Sequence, residues 1–263
     1  MSTPSSELPR DLYSAEKVAS LENLAIQELG IDSYGLMSMA GASVFETVKR
    51  HYSKTKKLII FAGSGNNAGD GYVVAAIAKL SGMEADVIQL CEEQGLKADT
   101  RKAFEYASSS GVDIRPFNDE SFDQISNIRE TVIVDAILGT GLNRPVASQY
   151  RKAIGAVNSI ECPVISVDLP SGLNSDTGCA MGVAVMAHVT VTFVGLKQGL
   201  LTGEGQEYSG KVVFANLDIP DFIYKSKWSP LPSSNRIDID YVKGRLGPRR
   251  KFSHKGDHGH VVV

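Results

Sequence analysis

Short runs of apolar residues alternate along the chain with stretches in which apolar positions recur every three or four residues. Six of the runs predict strands: 58–62, 85–90, 131–134, 163–167, 188–193 and 211–215. Several of these runs show no polar alternation, which is typical of strands buried on both faces of a parallel sheet that helices cover on each side. The pattern therefore predicts a largely parallel sheet at the centre of the protein.

Helices are predicted wherever the apolar spacing changes to the helical period. Ser14 begins a first helix as its N-cap, the helix runs to about Leu29, and Gly30 ends it. Further helices are predicted over 34–51, from 72 onward, and over 97–110 and 148–159. Strands that alternate with helices predict an α/β protein, namely a three-layer Rossmann-like fold with a mostly parallel central sheet flanked by helices.

The two ends of the chain differ from its middle. Residues 1–12 are polar and rich in serine and proline, so we predict a flexible tail there and expect no secretory signal. Residues 13–224 are predicted to form one domain. From 225 onward prolines, serines and a basic run over 245–251 predict a linker or a strap across the surface, and a solvated face explains the basic run better than an anion site.

Composition and charge narrow the classes of function. The net charge of −3 over 263 residues gives no basic surplus, so we expect no nucleic-acid partner. The three cysteines are scattered, which is typical of a reducing compartment. The longest apolar stretch, 182–196, is interrupted by polar residues and is shorter than the ~20 residues that span a bilayer. We therefore predict a cytoplasmic protein that does not enter a membrane.

A glycine-rich segment, 63–71, follows the first buried run. Ligands of open parallel sheets bind beyond the carboxyl ends of the strands, so this segment is a candidate binding loop. Gly63, Gly65 and Ala68 fit the relaxed GxGxxA dinucleotide fingerprint, which is weak evidence alone. Asp70 argues against an ordinary dehydrogenase, because it brings a carboxylate to the place of a pyrophosphate. A simple turn remains the alternative for the asparagine pair at 66–67.

Two aspartates close two other apolar runs. Asp135 is followed by the glycines of 139–141 and by Arg144, and Asp168 precedes Ser171 in a proline turn. A charge at the end of a buried strand is costly unless it is paired or binds a cation, although a turn or cap role for Asp135 stays open. One aspartate then holds a cation and the other acts as a general acid or base. Oxygen ligands favour an alkali or alkaline-earth ion over zinc or copper.

Three ordered motifs, 65–74, 134–141 and 167–172, carry a resemblance to a known family. At their spacing the chain resembles NAD(P)H-hydrate epimerase, and more closely the amino-terminal half of the bifunctional NAD(P)H-hydrate repair enzyme of bacteria, over about 12–220. The resemblance implies an isomerase that interconverts the R and S forms of hydrated NADH and NADPH by acid/base chemistry at C6 of the nicotinamide ring. A partner dehydratase, specific for the S form, then clears both.

The resemblance also implies roles for individual residues. Asp168 is the implied catalytic residue, and Lys197 is a second candidate for which a solvated lysine is the alternative. A potassium ion is implied at Asn67, Asp135 and Ser171. The implied contacts with the hydrated dinucleotide are Asn66, Asn67, Ala68, Gly69, Asp70, Gly139, Thr140, Gly141, Leu142, Asn143, Arg144, Pro145 and Asp168.

The chain departs from the family at two places. Ala68 stands where the family usually has glycine, which strains the loop only if that position needs a positive φ. Residues 253–263 resemble the opening of the sugar-kinase-like dehydratase domain, so we expect a truncated domain there and no ADP-dependent dehydratase activity in this chain. A severed domain explains His254, His258 and His260 better than a metal site does.

Two other functions remain to be weighed against the epimerase. A non-catalytic dinucleotide-binding or scaffold protein of the same fold is the first alternative, although all three motifs are intact. An NAD(P)-dependent oxidoreductase is the second, and it requires an acidic anchor for the ribose near Glu92. Members of the family often form dimers, so the resemblance allows a homodimer.

Overall fold

A seven-stranded sheet forms the centre of the computed structural model, which describes residues 4–118, 130–245 and 252. The strands are β2 (Lys57–Ala62), β3 (Glu84–Gln89), β4 (Asp113–Pro116), β5 (Thr131–Ala136), β6 (Val164–Val167), β7 (Val189–Phe193) and β9 (Lys211–Ala215). Their order across the sheet is β4-β3-β2-β5-β6-β7-β9, and every neighbouring pair is parallel. The predicted parallel sheet is confirmed.

Helices cover both faces of this sheet. They are α1 (Ala15–Leu29), α2 (Ser33–His51), α3 (Asn66–Leu80), α4 (Ala98–Ser109), α5 (Ser148–Ser159) and three short helices, α6 (Gly205–Ser209), α7 (Asp221–Tyr224) and α8 (Ile239–Arg245). In β2, Leu58 and Ile60 pack in the core with α1 to α4, whereas Ile59 and Phe61 pack in the core with α5. Successive side chains of a strand point to opposite faces, so unbroken apolar runs suit a three-layer fold.

The predicted flexible tail is in part an ordered strap. Ser5 pairs with Phe214 of β9 through two backbone hydrogen bonds of 2.9 and 2.8 Å. Strand β1 (Asp11–Tyr13) lies between β8 (Leu196–Lys197) and β10 (Ser234–Asn235) in a second, three-stranded sheet. The expectation for residues 1–12 therefore differs from the structure over its described part, because long-range pairing orders a polar segment that has no local periodicity.

The segment after residue 224 contributes β10 to the second sheet. Backbone bonds from Ser233 to Leu12 and from Arg236 to Arg10 hold it against β1. The resemblance of 253–263 to a dehydratase domain and most of the basic run over 245–251 fall outside the described residues. No helix within the described ranges combines the length and the hydropathy that a membrane span requires.

Candidate active site

A cleft of about 680 Å³ opens at the carboxyl ends of β2, β5, β6 and β7. Strand connections leave β2 and β5 in opposite directions across the sheet, which makes the gap between them the switch point where such folds bind ligands. The segment after β2 forms one wall and the segment after β5 forms the other, while α1 and α2 contribute side chains from the helical layer.

Ten of the thirteen predicted ligand contacts line this cleft: Asn66, Asn67, Asp70, Gly139, Thr140, Gly141, Leu142, Asn143, Arg144 and Asp168. The other three lie outside its lining. Ala68 is fully buried, and a Cβ on Gly69 would lie 2.5 Å from Met37, so both residues serve packing. Pro145 is exposed beyond the end of the wall.

Most of the glycine-rich segment 63–71 is helical, although its composition predicts a loop. Gly65 is the N-cap of α3, so the helix begins at Asn66 and not near residue 72. Gly63 serves close packing, because a Cβ there would lie 2.0 Å from the carbonyl oxygen of Ile137. Ala68 lies inside the helix without a positive φ, which removes the reason for a glycine at that position.

Asp135 is the fully buried centre of a hydrogen-bond network beneath the cleft. Its carboxylate accepts hydrogen bonds from the hydroxyl and the backbone amide of Ser171, from the hydroxyl of Ser166 at 2.7 Å and from the amide of Ile137 at 3.3 Å. Burial raises the pKa of Asp135, and these four donors oppose that shift by stabilising the charged form. The network locks the segment after β5 to the segment after β6.

Asn67 lies close to this network through the carbonyl of Leu138. Its Nδ2 donates to that carbonyl at 3.1 Å, and the Ser171 hydroxyl oxygen lies 3.1 Å from the same carbonyl oxygen. The amide of Leu138 donates to the Ser171 hydroxyl oxygen at 2.8 Å. Asn67 Oδ1 is buried, and no group in the described part of the chain donates to it. Three residues that the family resemblance assigns to a cation are therefore adjacent, and one of their oxygens lacks a partner.

The chemical type of these oxygen ligands indicates which class of cation they could bind. Within 4–118, 130–245 and 252, no three His, Cys, Asp or Glu side chains lie together as a transition metal would need. An amide oxygen, a backbone carbonyl, a hydroxyl and one carboxylate are hard ligands of low total charge. The donor set thus fits an alkali ion.

Asp168 is held in an unusual conformation at the end of β6. Its φ is +64°, and Val194, which also lines the cleft, has a φ of +60°. Both values lie in the left-handed region, which costs energy for residues other than glycine and is frequent at functional sites. The tertiary structure therefore fixes the aspartate where the chain alone would not place it.

Lys197 lies behind Asp168 and is only 1% exposed, so the alternative of a solvated lysine is wrong. Its ammonium group donates to Asp168 Oδ1 and, at 2.9 Å, to the carbonyl of Phe193. Oδ1 also accepts from the Phe193 amide at 3.2 Å and the Thr192 hydroxyl at 3.3 Å. Within the described residues no group donates to Oδ2, which leaves this atom free to meet a ligand.

Two further carboxyl groups line the cleft, and one of them, that of Glu22, was not predicted from the sequence. Glu22 of α1 and Asp70 of α3 line the same cavity as Asp168. Burial raises the pKa of Glu22, and burial with the nearby charges of Asp168 and Glu22 raises that of Asp70 well above its usual range. Glu22 was detectable in the sequence, because it lies four residues after Val18 and three before Ala25, on the buried face of its helix.

The cleft is acidic inside and carries its cations at the rim. Lys97 and Arg144, the two cationic side chains of the lining, are both exposed. Gly139 and Gly141 add backbone amides on the same wall as Arg144. Guanidinium and ammonium groups and free amides are typical partners of phosphate, whereas half-buried carboxyl groups suit proton transfer. The arrangement can bind an anionic ligand at its rim and exchange protons with it inside.

Comparison with known proteins identifies the same region. The family model described as YjeF-related protein N-terminus matches residues 33–199. The bifunctional NAD(P)H-hydrate repair enzyme of Escherichia coli is 33% identical over 259 residues, which are 97% of this chain and 48% of that protein. The NAD(P)H-hydrate epimerase of Limosilactobacillus fermentum is 33% identical over 203 residues, which are 77% of this chain and 95% of that protein.

A solved structure supports the fold. The crystal structure of a yeast protein superposes with a TM-score of 0.70 at 22% identity, covering 84% of this chain and 94% of the yeast chain. The present chain spans about half the length of the bifunctional relatives that it matches.

Proposed function

Because this chain belongs to the family of YjeF-related protein N-termini, we propose that it is an epimerase of hydrated NADH and NADPH. The similarity over 95% of an NAD(P)H-hydrate epimerase carries this proposal. The cleft supports it, since phosphate-binding groups at the rim and carboxyl groups inside suit a dinucleotide whose reduced ring carries a hydroxyl group.

In this mechanism Asp168 exchanges a proton with the substrate at the C6 hydroxyl. Oδ2 is the acting atom, because Oδ1 is occupied by Lys197 and the Phe193 amide. Lys197 does not line the cleft, so its role is to orient Asp168 through the ion pair. A proton transfer positioned in this way accelerates a reaction about 10²–10⁴-fold. The glycine segment after β5 and the start of α3 orient the dinucleotide across the switch point.

Potassium is the cation that we propose for the oxygens around Asn67. The ligands would be Asn67 Oδ1, Asp135, Ser171 and the carbonyl of Leu138. When bound, the ion supplies positive charge beside the binding loops and offsets the charge of the dinucleotide. The partnerless Asn67 Oδ1 supports this assignment, because a buried oxygen without a donor costs about 1–3 kcal/mol unless a cation or water meets it.

The cation proposal predicts a thermal shift. Replacing choline by K⁺ at equal ionic strength should raise the melting temperature by about 3–5 °C at ten times the dissociation constant, because binding stabilises only the folded state. Asn67→Ala should abolish the K⁺-dependent part of the shift, since Oδ1 is the ligand that it removes. Equal melting temperatures of the unmodified protein in K⁺ and choline would contradict the site.

The proposed reaction is tested by separating the two epimers. We expect the protein to convert the purified R form of hydrated NADH into the equilibrium mixture of the R and S forms. Chromatography measures the amounts of the two forms, and heat-treated protein is the control. The absorbance of NADH should stay constant on incubation, whereas an oxidoreductase would change it. Binding of the dinucleotide without conversion would favour a scaffold protein instead.

Two coarser expectations accompany the proposal. We propose a cytoplasmic location, which the three free cysteines support, and a homodimer, by analogy with the family. Light scattering of the purified protein and fractionation of the source cells test these two points independently of the catalytic assignment.

A further inference from the structure

Two carboxyl groups of the cleft have no paired cation among the residues that the structure describes. Glu22 comes from the middle of α1 and Asp70 from the second turn of α3, and both line the cavity. The ammonium group of Lys197 is bonded to Asp168 instead. Within the described part of the chain, the side chains of Glu22 and Asp70 form neither a hydrogen bond nor an ion pair. Such groups are unusual inside a folded protein unless they are neutral or meet a ligand.

The balance of charge decides the protonation of this cluster. Three carboxyl groups, on Glu22, Asp70 and Asp168, interact with the single ammonium group of Lys197. Lys197 is paired with Asp168, so burial raises the pKa of both remaining acids. The charge of Asp168 adds to this shift at both, and the charge of Glu22 adds to it at Asp70. Glu22 and Asp70 therefore keep their protons to a higher pH than they would in water.

The atom that we propose as a ligand of potassium lies on the same wall of the cleft. Asn67 lies three residues before Asp70, so the two side chains share one face of α3. Asn67 is 8% exposed, lines the cleft, and carries the buried oxygen that lacks a donor. The face of α3 that presents Asp70 to the cleft thus also presents the oxygen that we assign to the cation.

We propose that Glu22 and Asp70 together are the proton donor that complements Asp168 in the epimerisation; this inference rests on the proposed function. Asp168 approaches the cleft from the end of β6, whereas the pair approaches from α1 and α3. An epimerase has to break a bond on one face of the C6 carbon and form it on the other, which requires an acid and a base in the same cavity. A single aspartate cannot hold both states at once.

The proposed epimerisation needs only these three carboxyl groups and water. The pair gives its proton to the C6 hydroxyl, the C6–O bond breaks, water leaves, and the lone pair of N1 forms a C6=N1 iminium. A water molecule then attacks C6 from the opposite face, its electron pair forms the new C–O bond, and the iminium electrons return to N1. Asp168 takes the proton that this water releases. The pair ends ionised and Asp168 protonated, which is the starting state for the reverse conversion.

The test removes the exchangeable proton while keeping the shape of each side chain. We expect Glu22→Gln and Asp70→Asn each to lower kcat about 10²-fold with little change in KM, because the amides bind but do not donate a carboxyl proton. The kcat of the double variant should lie within about twofold of the kcat of the slower single variant, since the two acids act together. Glu28→Gln, an exposed position on the same helix, is the matched control and should retain full activity.

The pH profile gives a readout that a structural role would not move. In the unmodified protein kcat should fall as the pH rises and the pair loses its proton, and this alkaline limb should disappear in both amide variants. The other charged groups facing the cavity are Asp168 and Lys197 behind it and Lys97, Asp99 and Arg144 at its rim. All of these groups are unchanged in the two variants. If the fall of kcat at high pH persists in the variants, it arises from one of these groups, and the role of Glu22 and Asp70 is wrong.

A reaction in oxygen-18 water tests whether the C6–O bond breaks. Each conversion should place one solvent oxygen at C6 of the product, as mass spectrometry would detect. Retention of the original oxygen would overturn the proposed step, and so would kcat values of the two amide variants within about twofold of the unmodified protein. If the unmodified protein itself converts no epimer, the proposed function fails first, and the role of Glu22 and Asp70 falls with it.

Discussion

Asp168→Asn should lower the rate of R-to-S conversion by about 10²–10⁴-fold, the largest catalytic loss that we expect from one substitution. The amide keeps an oxygen for the Phe193 amide and the Thr192 hydroxyl but offers no basic atom to the cleft. Asparagine is preferable to alanine because it tolerates the φ of +64° at this position. Chromatography of the two epimers at substrate saturation measures the effect.

A stability control separates this loss from unfolding. Asp168→Asn leaves the ammonium group of Lys197 buried without its counter-ion, which typically costs about 3–5 kcal/mol. Adding Lys197→Met removes the stranded charge, so the double variant should regain melting temperature while remaining inactive. Recovery of activity in the double variant would contradict a direct role for Asp168 Oδ2.

Asp135→Ala should lower the free energy of unfolding by about 3–5 kcal/mol. The substitution removes the acceptor of four donors in a fully buried site: two on Ser171, one on Ser166 and the amide of Ile137. Such a loss is a large fraction of the total stability of a domain. Urea unfolding followed by circular dichroism measures it.

Ser166→Ala is the matched control for this network. It removes one donor and leaves the carboxylate with three, so we expect a loss of only about 1 kcal/mol. If Asp135→Ala and Ser166→Ala lowered the free energy of unfolding equally, the carboxylate would not be the centre that joins the segments after β5 and β6. Loss of the K⁺-dependent thermal shift in Asp135→Ala, but not in Ser166→Ala, is expected as well.

Local patterns predicted most of the architecture because burial leaves a periodic trace. The apolar runs at 58–62 and 131–134 became β2 and β5, and the segment predicted over 148–159 became α5. Strand β4 and the three-stranded sheet were missed, since their polar, two- to four-residue strands have no periodicity of their own. The start of α3 was placed too late, because glycines and asparagines favour loops until tertiary packing overrides them.

The candidate site shows the same division. Motif spacing brought Asn67, Asp135, Asp168 and Ser171 to neighbouring strand ends, because parallel strands direct their carboxyl ends to one edge of the sheet. Lys197 was identified, but its burial was not, since β8 is held by β1 through the pairing of Leu196 with Leu12 and of Lys197 with Tyr13. Glu22 reached the cleft through the packing of α1, to which no motif pointed.

The sequence by itself determined the alternation of strands and helices, the candidate binding loops and the family. The tertiary structure decided which acids share a cavity, which oxygen of Asp168 is free and which lysine is buried behind it. The physical reason is that hydrophobic periodicity encodes whether a residue is buried, whereas a charge depends on what lies beside it. Some of those neighbours come from parts of the chain more than a hundred residues apart, as Glu22 and Asp168 do.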